Sequence, residues 1–309
     1  MALHVFNFQF EEAEVYREFC TALKRTPATV HRLADVPFLP VEFFKTHRVI
    51  AKSKQAAEVF ESSGTTGSVP SKHYVADREL YEQSFVQCFE HFYGAANDYV
   101  ILALLPSYLE RENSSLVYMA NQLIALTGKV DSGFFLNEYE KLHALLLALK
   151  IRKQKTVLLG VTFALLDFAE KYRLSFPELT VMETGGMKGR REELTRAEVH
   201  EKLCRAFNVK HIHSEYGMTE LLSQAYSKGD GVFRTPPWMK ILLRDVTDPL
   251  SIEGRSSGAV NVIDLANLYS CSFIATSDMG KLNTDGSFEI SGRLDNAEVR
   301  GCNLMVAKI

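Results

Sequence analysis

The chain has 309 residues, of which 46% are hydrophobic and 24% charged, a composition typical of an ordinary soluble globular protein. Its 35 basic and 38 acidic residues give a net charge of −3, which gives no reason to expect nucleic acid as a partner. Five widely spaced cysteines without a CxxC pair fit free thiols in a reducing cytosol, and no apolar stretch reaches membrane-spanning length. We therefore expect a cytoplasmic protein with no signal peptide and no integral membrane association.

Helices and strands are predicted to alternate over the first two thirds of the chain. Residues 10–25 and 77–94 are predicted as helices, the second because apolar residues recur at helical spacing before Gly94. The apolar run at 98–108 predicts a strand covered on both faces. Further helices are predicted at 114–126, 137–150, 164–174 and 192–207, and further strands at 155–163, 179–186 and 209–217. The alternation predicts an α/β fold with mainly parallel sheets and helices on their faces.

From Gly229 onward the pattern changes to short strands separated by turn residues. The strands are predicted within 240–246, 258–265, 271–278 and 287–292. We therefore divide the chain into an α/β region at 1–228 and a smaller β-rich subdomain at 229–309.

A loop rich in serine, threonine and glycine occupies residues 62–72. Its candidate ligands are Ser62, Ser63, Gly64, Thr65, Thr66, Gly67 and Lys72. Glycines let the backbone approach a ligand, exposed N–H groups can form an anion-binding nest, and the lysine adds a positive charge. The loop could thus hold a phosphate chain, although its spacing is not that of a mononucleotide P-loop. Composition alone fits a solvated loop equally well.

Two further motifs follow apolar strands. In METGGMKGRR, Gly185 and Gly186 could let a flat base lie against the backbone and Lys188 could meet phosphate, although a plain strand–turn–helix joint explains this stretch as well. In HSEYGMTE, Tyr216 offers a stacking surface, Thr219 a hydroxyl and Glu220 a carboxylate suited to Mg²⁺. The alternating histidines His211 and His213 are interpreted as packed or hydrogen-bonded rather than as zinc ligands, because no cysteine or histidine cluster lies nearby.

A last pair of residues lies in ATSDMG and SGRLDNAEVRGCNLM. Asp278, at a strand end, could accept hydrogen bonds from two vicinal hydroxyls, and Arg293 could add a donor. An ordinary aspartate turn and a surface ion pair are the alternative explanation.

In this order, SSGTTG, YGMTE, TSDMG and GRLD resemble the phosphate, magnesium, ribose and hinge motifs of the adenylate-forming superfamily of acyl-CoA synthetases and luciferase-like enzymes. PSYLERENSSLVYM, ETGGMKGRR, HSEYGMTELLSQAY and RGCNLM resemble the acyl-protein synthetase family more closely. The resemblance implies the N-terminal-domain fold of the superfamily. It also implies ATP and Mg²⁺ as cofactors, a carboxylic acid as substrate, and a protein cysteine, an acyl carrier protein or coenzyme A as thiol acceptor.

The resemblance also assigns roles. The 62–67 loop and Lys72 would hold the β- and γ-phosphates, Thr219 the α-phosphate, and Glu220 the magnesium ion. Gly185, Gly186 and Tyr216 would enclose the adenine, and Asp278 and Arg293 would bind the ribose. Cys302 matches the acylated cysteine of the family, although most free cysteines are simply buried.

One departure from the superfamily leaves other functions open. The chain ends at Ile309, so we expect the C-terminal lid domain and its catalytic lysine to be absent, with Lys188 or Lys308 as substitutes. An ATP-independent acyltransferase that moves acyl groups between thioesters is one alternative, and a catalytically idle nucleotide-binding subunit is another.

Overall fold

The secondary structure comes from a computed structural model, which describes residues 1–62, 69–106, 113–185, 194–252 and 254–294. Eight α-helices form in these ranges: α1 (Ala2–Glu12), α2 (Glu14–Ala22), α3 (Phe43–Thr46), α4 (Arg78–Tyr93), α5 (Ser115–Thr127), α6 (Tyr139–Ile151), α7 (Thr162–Lys171) and α8 (Arg196–Phe207). Fourteen β-strands form in the same ranges: β1 (Leu39–Pro40), β2 (Glu58–Glu61), β3 (Lys72–Val75), β4 (Val100–Leu104), β5 (Gly133–Phe135), β6 (Thr156–Gly160), β7 (Leu179–Glu183), β8 (His213–Tyr216), β9 (Ala225–Ser227), β10 (Val232–Arg234), β11 (Met239–Arg244), β12 (Ser257–Asp264), β13 (Phe273–Leu282) and β14 (Phe288–Arg293).

The predicted helix at 10–25 is wrong, because the chain forms two helices separated at Ala13. Ala13 has extended backbone angles of φ −97° and ψ 100°, so it cannot continue a helix. The break lets Phe6 of α1 and Tyr16 of α2 pack edge to face, with ring centroids 6.2 Å apart, and both rings also contact Phe273. Aromatic packing in the core therefore decides this boundary, which the local sequence pattern does not reveal.

Helix α4 agrees closely with the prediction. Its N-terminus is capped by Asp77, whose side chain accepts a hydrogen bond from the Leu80 N–H at 3.0 Å. Its C-terminus meets Gly94, which has a φ of +86° that favours glycine.

Residues 56–236 form one of two compact units. Its main sheet has the order β5-β4-β6-β7-β8 with parallel pairing, and β9 and β10 continue it with antiparallel pairing. Every residue of β4 and β6 is buried, as expected for strands covered on both faces. Strands β2 and β3 form a separate antiparallel hairpin. This alternation of strands and helices confirms the predicted α/β fold class.

Residues 1–55 and 237–309 make up the second unit. Strands β11 to β14 form an antiparallel meander, and β1 pairs in parallel with β13. Gln9 of α1 is tied to the connection before β13, because its amide donates to the carbonyl oxygens of Asn267 and Leu268 at 3.0 and 2.8 Å. The proposed functional division between residues 228 and 229 stays a prediction.

Candidate functional site

The loop after β2 is closed at its base by a pair of hydrogen bonds. The Ser62 N–H donates to the Ser71 carbonyl at 3.0 Å, and the Ser62 hydroxyl oxygen accepts from the Ser71 N–H at 2.8 Å. Ser62 is therefore engaged in shaping the hairpin. The other predicted phosphate ligands of the loop, namely Ser63, Gly64, Thr65, Thr66 and Gly67, lie outside the described residues.

Lys72 begins the outgoing strand of this hairpin and forms an ion pair. Its Nζ lies 3.1 Å from Glu61 Oε1 on the paired strand, where Glu61 and Lys72 face each other in the register. The hydrogen bond and the negative charge of Glu61 raise the pKa of Lys72 above its ordinary value. The lysine therefore stays positively charged beside the loop, with Glu61 as its partner in this structure.

The hairpin is joined to the segment that carries the magnesium motif. His73 of β3 is fully buried, and its Nδ1 lies 2.8 Å from the carbonyl oxygen of Thr219. A carbonyl oxygen can only accept, so Nδ1 must carry the proton in this bond. Two of the motifs found in the sequence are thus brought together through His73, whose role the sequence analysis missed.

Glu220 lies on a tight turn in which the Leu221 N–H donates to the Met218 carbonyl at 3.1 Å. The Glu220 side chain is buried, with 5% of its surface exposed, whereas Thr219 is half-buried. Within the ranges that the structure describes, no group of three or more acidic, histidine or cysteine side chains could hold a metal. A single carboxylate nevertheless suits Mg²⁺, which usually takes one or two carboxylates and completes its shell with phosphate and water oxygens.

Gly185 and Tyr216 stand at the carboxyl ends of neighbouring parallel strands. Strands β7 and β8 pair with Glu183 opposite Ser214, so the residues that follow each strand lie at one edge of the sheet. In open α/β sheets, ligands bind at this edge. The Tyr216 ring packs against Phe233 with the centroids 5.9 Å apart, and Gly185 has a φ of +74°. Gly186 and Lys188 lie outside the described residues.

Two acidic side chains near this edge were not singled out from the sequence. Burial opposes ionisation of Glu183, but hydrogen bonds from His200, Ser214 and the Gly185 N–H outweigh it and lower its pKa. Burial, and then the charge of Glu183, raises the pKa of Glu215 to about 8. Glu183 is therefore ionised and Glu215 protonated at neutral pH. A carboxylate ending the apolar strand LTVME was the sequence signal for Glu183.

The other unit holds the predicted ribose ligands, and the structure brings the two together. Asp278 and Arg293 face each other across β13 and β14, and Arg293 Nε donates to Asp278 Oδ1 at 3.4 Å. The Asp278 side chain is 10% exposed and that of Arg293 is 78% exposed. Buried Arg244, which the sequence analysis missed, donates to the carbonyl oxygens of Val260 and Thr276 at 2.7 and 2.6 Å. Arg244 thereby fixes the backbone two residues before Asp278.

The histidines and cysteines can be compared with their expected roles. His213 Nδ1 lies 3.1 Å from the Tyr93 hydroxyl, which agrees with a hydrogen-bonded histidine. Three cysteines are fully buried, as expected for packing residues: Cys20, Cys88 and Cys271. Cys204 is half-buried, and Cys302 lies outside the described residues.

The fold is that of the N-terminal domain of adenylate-forming enzymes, as three solved structures illustrate. ATP-bound MatB from Rhodopseudomonas palustris matches with a TM-score of 0.57 at 18% identity, over 76% of this chain and 47% of MatB. The long-chain-fatty-acid-CoA ligase FadD1 from Archaeoglobus fulgidus gives 0.55 at 14% identity, over 79% and 52% of the two chains. The amide bond synthetase McbA from Marinactinospora thermotolerans gives 0.54 at 19% identity, over 77% and 49%. The chain thus spans about half the length of these proteins.

The family follows from the sequence over its whole length. The family model described as "Acyl-protein synthetase, LuxE" matches residues 1–309, so the chain belongs to the acyl-protein synthetase family. This finding confirms the resemblance noted in the sequence. A comparison with curated proteins found no significant match. Among the described residues, no helix has both the length and the apolar character needed to cross a membrane.

Proposed function

We propose that the protein activates a carboxylic acid, with fatty acids as the first candidates, as an acyl-adenylate made from ATP, and transfers the acyl group to a thiol. The observation that carries this proposal is the hydrogen bond from buried His73 to the Thr219 carbonyl. It holds the strand that leaves the Ser/Thr/Gly loop against the segment containing Thr219 and Glu220. Family membership and the likeness to ATP-bound MatB support the same function.

The first step brings an anion to a polyanion, so the protein must supply positive charge and orientation. A carboxylate oxygen attacks the α-phosphorus of ATP, and pyrophosphate leaves with the electrons of the broken P–O bond. Lys72 and the 62–67 loop would hold the β- and γ-phosphates, and Thr219 would orient the α-phosphate. Glu220 would hold Mg²⁺, which when bound neutralises phosphate charge. Lys188 is a further candidate for the α-phosphate.

The remaining residues would hold the nucleoside. Gly185 and Gly186 would lie along the adenine, with Tyr216 as a stacking surface. Asp278 would accept hydrogen bonds from the two ribose hydroxyls. The ion pair between Arg293 and Asp278 would open, so that Arg293 could donate a hydrogen bond to the ribose. The geometry that supports this assignment is the pairing of Asp278 with Arg293 at 3.4 Å and the position of Gly185 and Tyr216 at the carboxyl ends of the neighbouring strands β7 and β8.

The second step moves the acyl group to sulfur. A thiolate attacks the acyl carbon, a C–S bond forms, and AMP leaves with the electrons of the broken C–O bond. Cys302 is the proposed acyl carrier within this chain. The final acceptor would be an acyl-accepting protein, an acyl carrier protein or coenzyme A, and we expect a protein acceptor because the family is that of acyl-protein synthetases.

Exchange of labelled pyrophosphate into ATP tests the first step. We expect exchange that depends on a fatty or aryl acid and falls at least about a hundredfold in Glu220→Ala, because that variant loses the proposed magnesium ligand. Glu90→Ala, on an exposed position of α4, is the matched control and should exchange like the parent. Absence of exchange with every member of a broad acid panel would contradict the proposal.

Mass spectrometry of the intact protein tests the second step and the alternatives. Incubation with ATP, Mg²⁺ and acid should add one acyl group to the parent and none to Cys302→Ser. Labelling by acyl-CoA without ATP would instead support an acyltransferase that moves acyl groups between thioesters. ATP binding without exchange or labelling would support a catalytically idle nucleotide-binding subunit.

A further inference from the structure

A buried carboxylate holds the turn that follows strand β7. Glu183 is 5% exposed, and its Oε2 accepts two hydrogen bonds, from the Gly185 N–H at 2.7 Å and from the Thr162 hydroxyl at 3.0 Å. Its other oxygen, Oε1, lies 3.7 Å from His200 Nε2 of α8. Glu183 thereby connects the end of β7, the first residue of α7 and the side of α8.

The backbone of the same turn is held from the opposite side as well. The Thr162 N–H donates to the Gly185 carbonyl at 3.2 Å, and the Thr184 N–H donates to the Gly160 carbonyl at 3.1 Å. Gly185 has a φ of +74°, a conformation that favours glycine. The left-handed turn is thus fixed at both its N–H and its C=O group, and Glu183 supplies the only charged acceptor among these contacts.

The ionisation of Glu183 fits this arrangement. Hydrogen bonds to a carboxylate from backbone and hydroxyl donors are stronger than those to a neutral acceptor. Burial raises the pKa of Glu183, but hydrogen bonds from His200, Ser214 and the Gly185 N–H outweigh it and lower the pKa, while burial and the charge of Glu183 raise the pKa of Glu215 to about 8. The negative charge of the Glu183 carboxylate therefore lies next to the Gly185 N–H and the Thr162 hydroxyl.

We propose that Glu183 is a positioning residue that fixes the Gly185 turn in the shape that receives the nucleotide base, and so determines discrimination between adenine and other bases. The inference rests on the proposed function, in which the Gly185 turn lies along the adenine. Glu183 itself would contact neither the nucleotide nor the acid. It would act through the N–H of Gly185 and through Thr162, which holds the carbonyl of the same glycine.

The two hydrogen bonds to one oxygen allow a sharp test of this role. Glu183→Gln can keep an oxygen at the Oε2 position for both donors and can direct its amide toward His200, whereas Glu183→Ala removes every contact. Calorimetry would measure binding of ATP, GTP and inorganic triphosphate to the parent and to both variants. We expect Glu183→Ala to weaken ATP binding by about tenfold and to reduce the preference for ATP over GTP. Inorganic triphosphate should bind within about twofold of the parent, and Glu183→Gln should keep ATP binding within about threefold.

Thr162→Val provides a second variant if Glu183→Ala does not fold. It removes one donor to Oε2 at nearly constant volume, so we expect a smaller loss of base preference, about threefold, with unchanged triphosphate binding. Thr180→Val, at a half-buried position on β7, is the matched control and should behave like the parent.

The outcomes separate this inference from the proposed function. If the parent binds neither ATP nor triphosphate, the proposed function fails and the role of Glu183 fails with it. If the parent prefers ATP and both Glu183→Ala and Thr162→Val keep that preference, only the positioning role is contradicted. If Glu183→Gln loses as much as Glu183→Ala, an oxygen at the Oε2 position does not hold the turn, and the positioning role is contradicted.

Discussion

His73 Nδ1 lies 2.8 Å from the carbonyl oxygen of Thr219, a residue 146 positions further along the chain. His73 is fully buried, and its bond joins the β2–β3 hairpin to the backbone of Thr219, the proposed α-phosphate ligand. A substitution in the hairpin should therefore alter the position of the Thr219 backbone, and a substitution at Thr219 should alter the hairpin.

Replacing His73 with asparagine and replacing it with glutamine should reduce the stability of the protein by different amounts. His73→Asn can place an amide N–H near the Nδ1 position and keep the bond to Thr219, whereas His73→Gln places its amide near the Nε2 position. We expect Asn to cost about 1 kcal/mol of unfolding free energy and Gln about 2 kcal/mol, because Gln leaves the part-buried Thr219 carbonyl without its donor from His73. Urea unfolding measures both values. Equal losses of unfolding free energy in the two variants would show that the hydrogen bond to Thr219 is not the source of the stability that His73 contributes.

The ion pair between Lys72 and Glu61 should compete with nucleotide. Glu61→Gln frees the lysine, so we expect ATP binding to tighten by roughly threefold, with little change in Tm, since exposed ion pairs contribute little to stability. Lys72→Ala should weaken ATP binding by about tenfold. Calorimetry on the two single variants and the double variant measures the coupling. Unchanged ATP affinity in Lys72→Ala would remove Lys72 from the phosphate site.

Loss of the Asp278 carboxylate should remove discrimination between ribose and deoxyribose. We expect the parent to prefer ATP over 2′-deoxy-ATP by about tenfold and Asp278→Ala to bind the two nearly equally. Competition binding with the two nucleotides measures this ratio. Glu289→Ala on β14 is a suitable control, because its side chain faces exposed Lys281 at 3.9 Å. A parent that does not distinguish the two nucleotides would contradict the ribose assignment.

His213 should make the protein less stable in acid. Burial, and then the charges of Lys228 and His211, lowers the pKa of His213 to about 4. In the unfolded chain the imidazole takes up its proton near pH 6.5, so between pH 6.5 and 4 the unfolded state binds more protons and stability falls as pH falls. Between pH 7 and 4.5 the loss attributable to His213 should be about 2 kcal/mol.

Urea unfolding at pH 7 and 4.5 measures this loss. His213→Asn can keep a hydrogen bond to Tyr93 without the titration, so its stability should fall less between the two pH values. His4→Asn, at an exposed position of α1, is the control and should follow the parent. An equal acid loss in His213→Asn and in the parent would contradict the assignment.

Local patterns predicted the elements better than the contacts between them. The spacing of apolar residues and Gly94 located α4, because a helix buried on one face has apolar residues at helical spacing. The unbroken apolar runs located β4 and β6, because strands buried on both faces are apolar at every position. The break at Ala13 escaped prediction because it depends on the packing of Phe6 and Tyr16, which no short window contains.

The sequence supplied candidate residues for the site, whose roles stay predictions, but it did not supply the contacts between them. The strand predicted at 209–217 includes Tyr216, and the structure places Tyr216 at the end of β8, with Thr219 and Glu220 following it. The pairing of Lys72 with Glu61 depends on the hairpin register, and the contact of His73 with Thr219 joins distant parts of the chain. Such partners follow from the tertiary fold, which sequence spacing does not specify.

The central claim is that the 62–72 hairpin loop and the Thr219–Glu220 segment hold one triphosphate. A crystal structure of the protein soaked with ATP, Mg²⁺ and a mixture of acids tests it directly. We predict density for the phosphates in contact with the loop and Thr219, with a magnesium ion on the Glu220 carboxylate. Nucleotide bound elsewhere on the protein, without contact to either segment, would contradict the account.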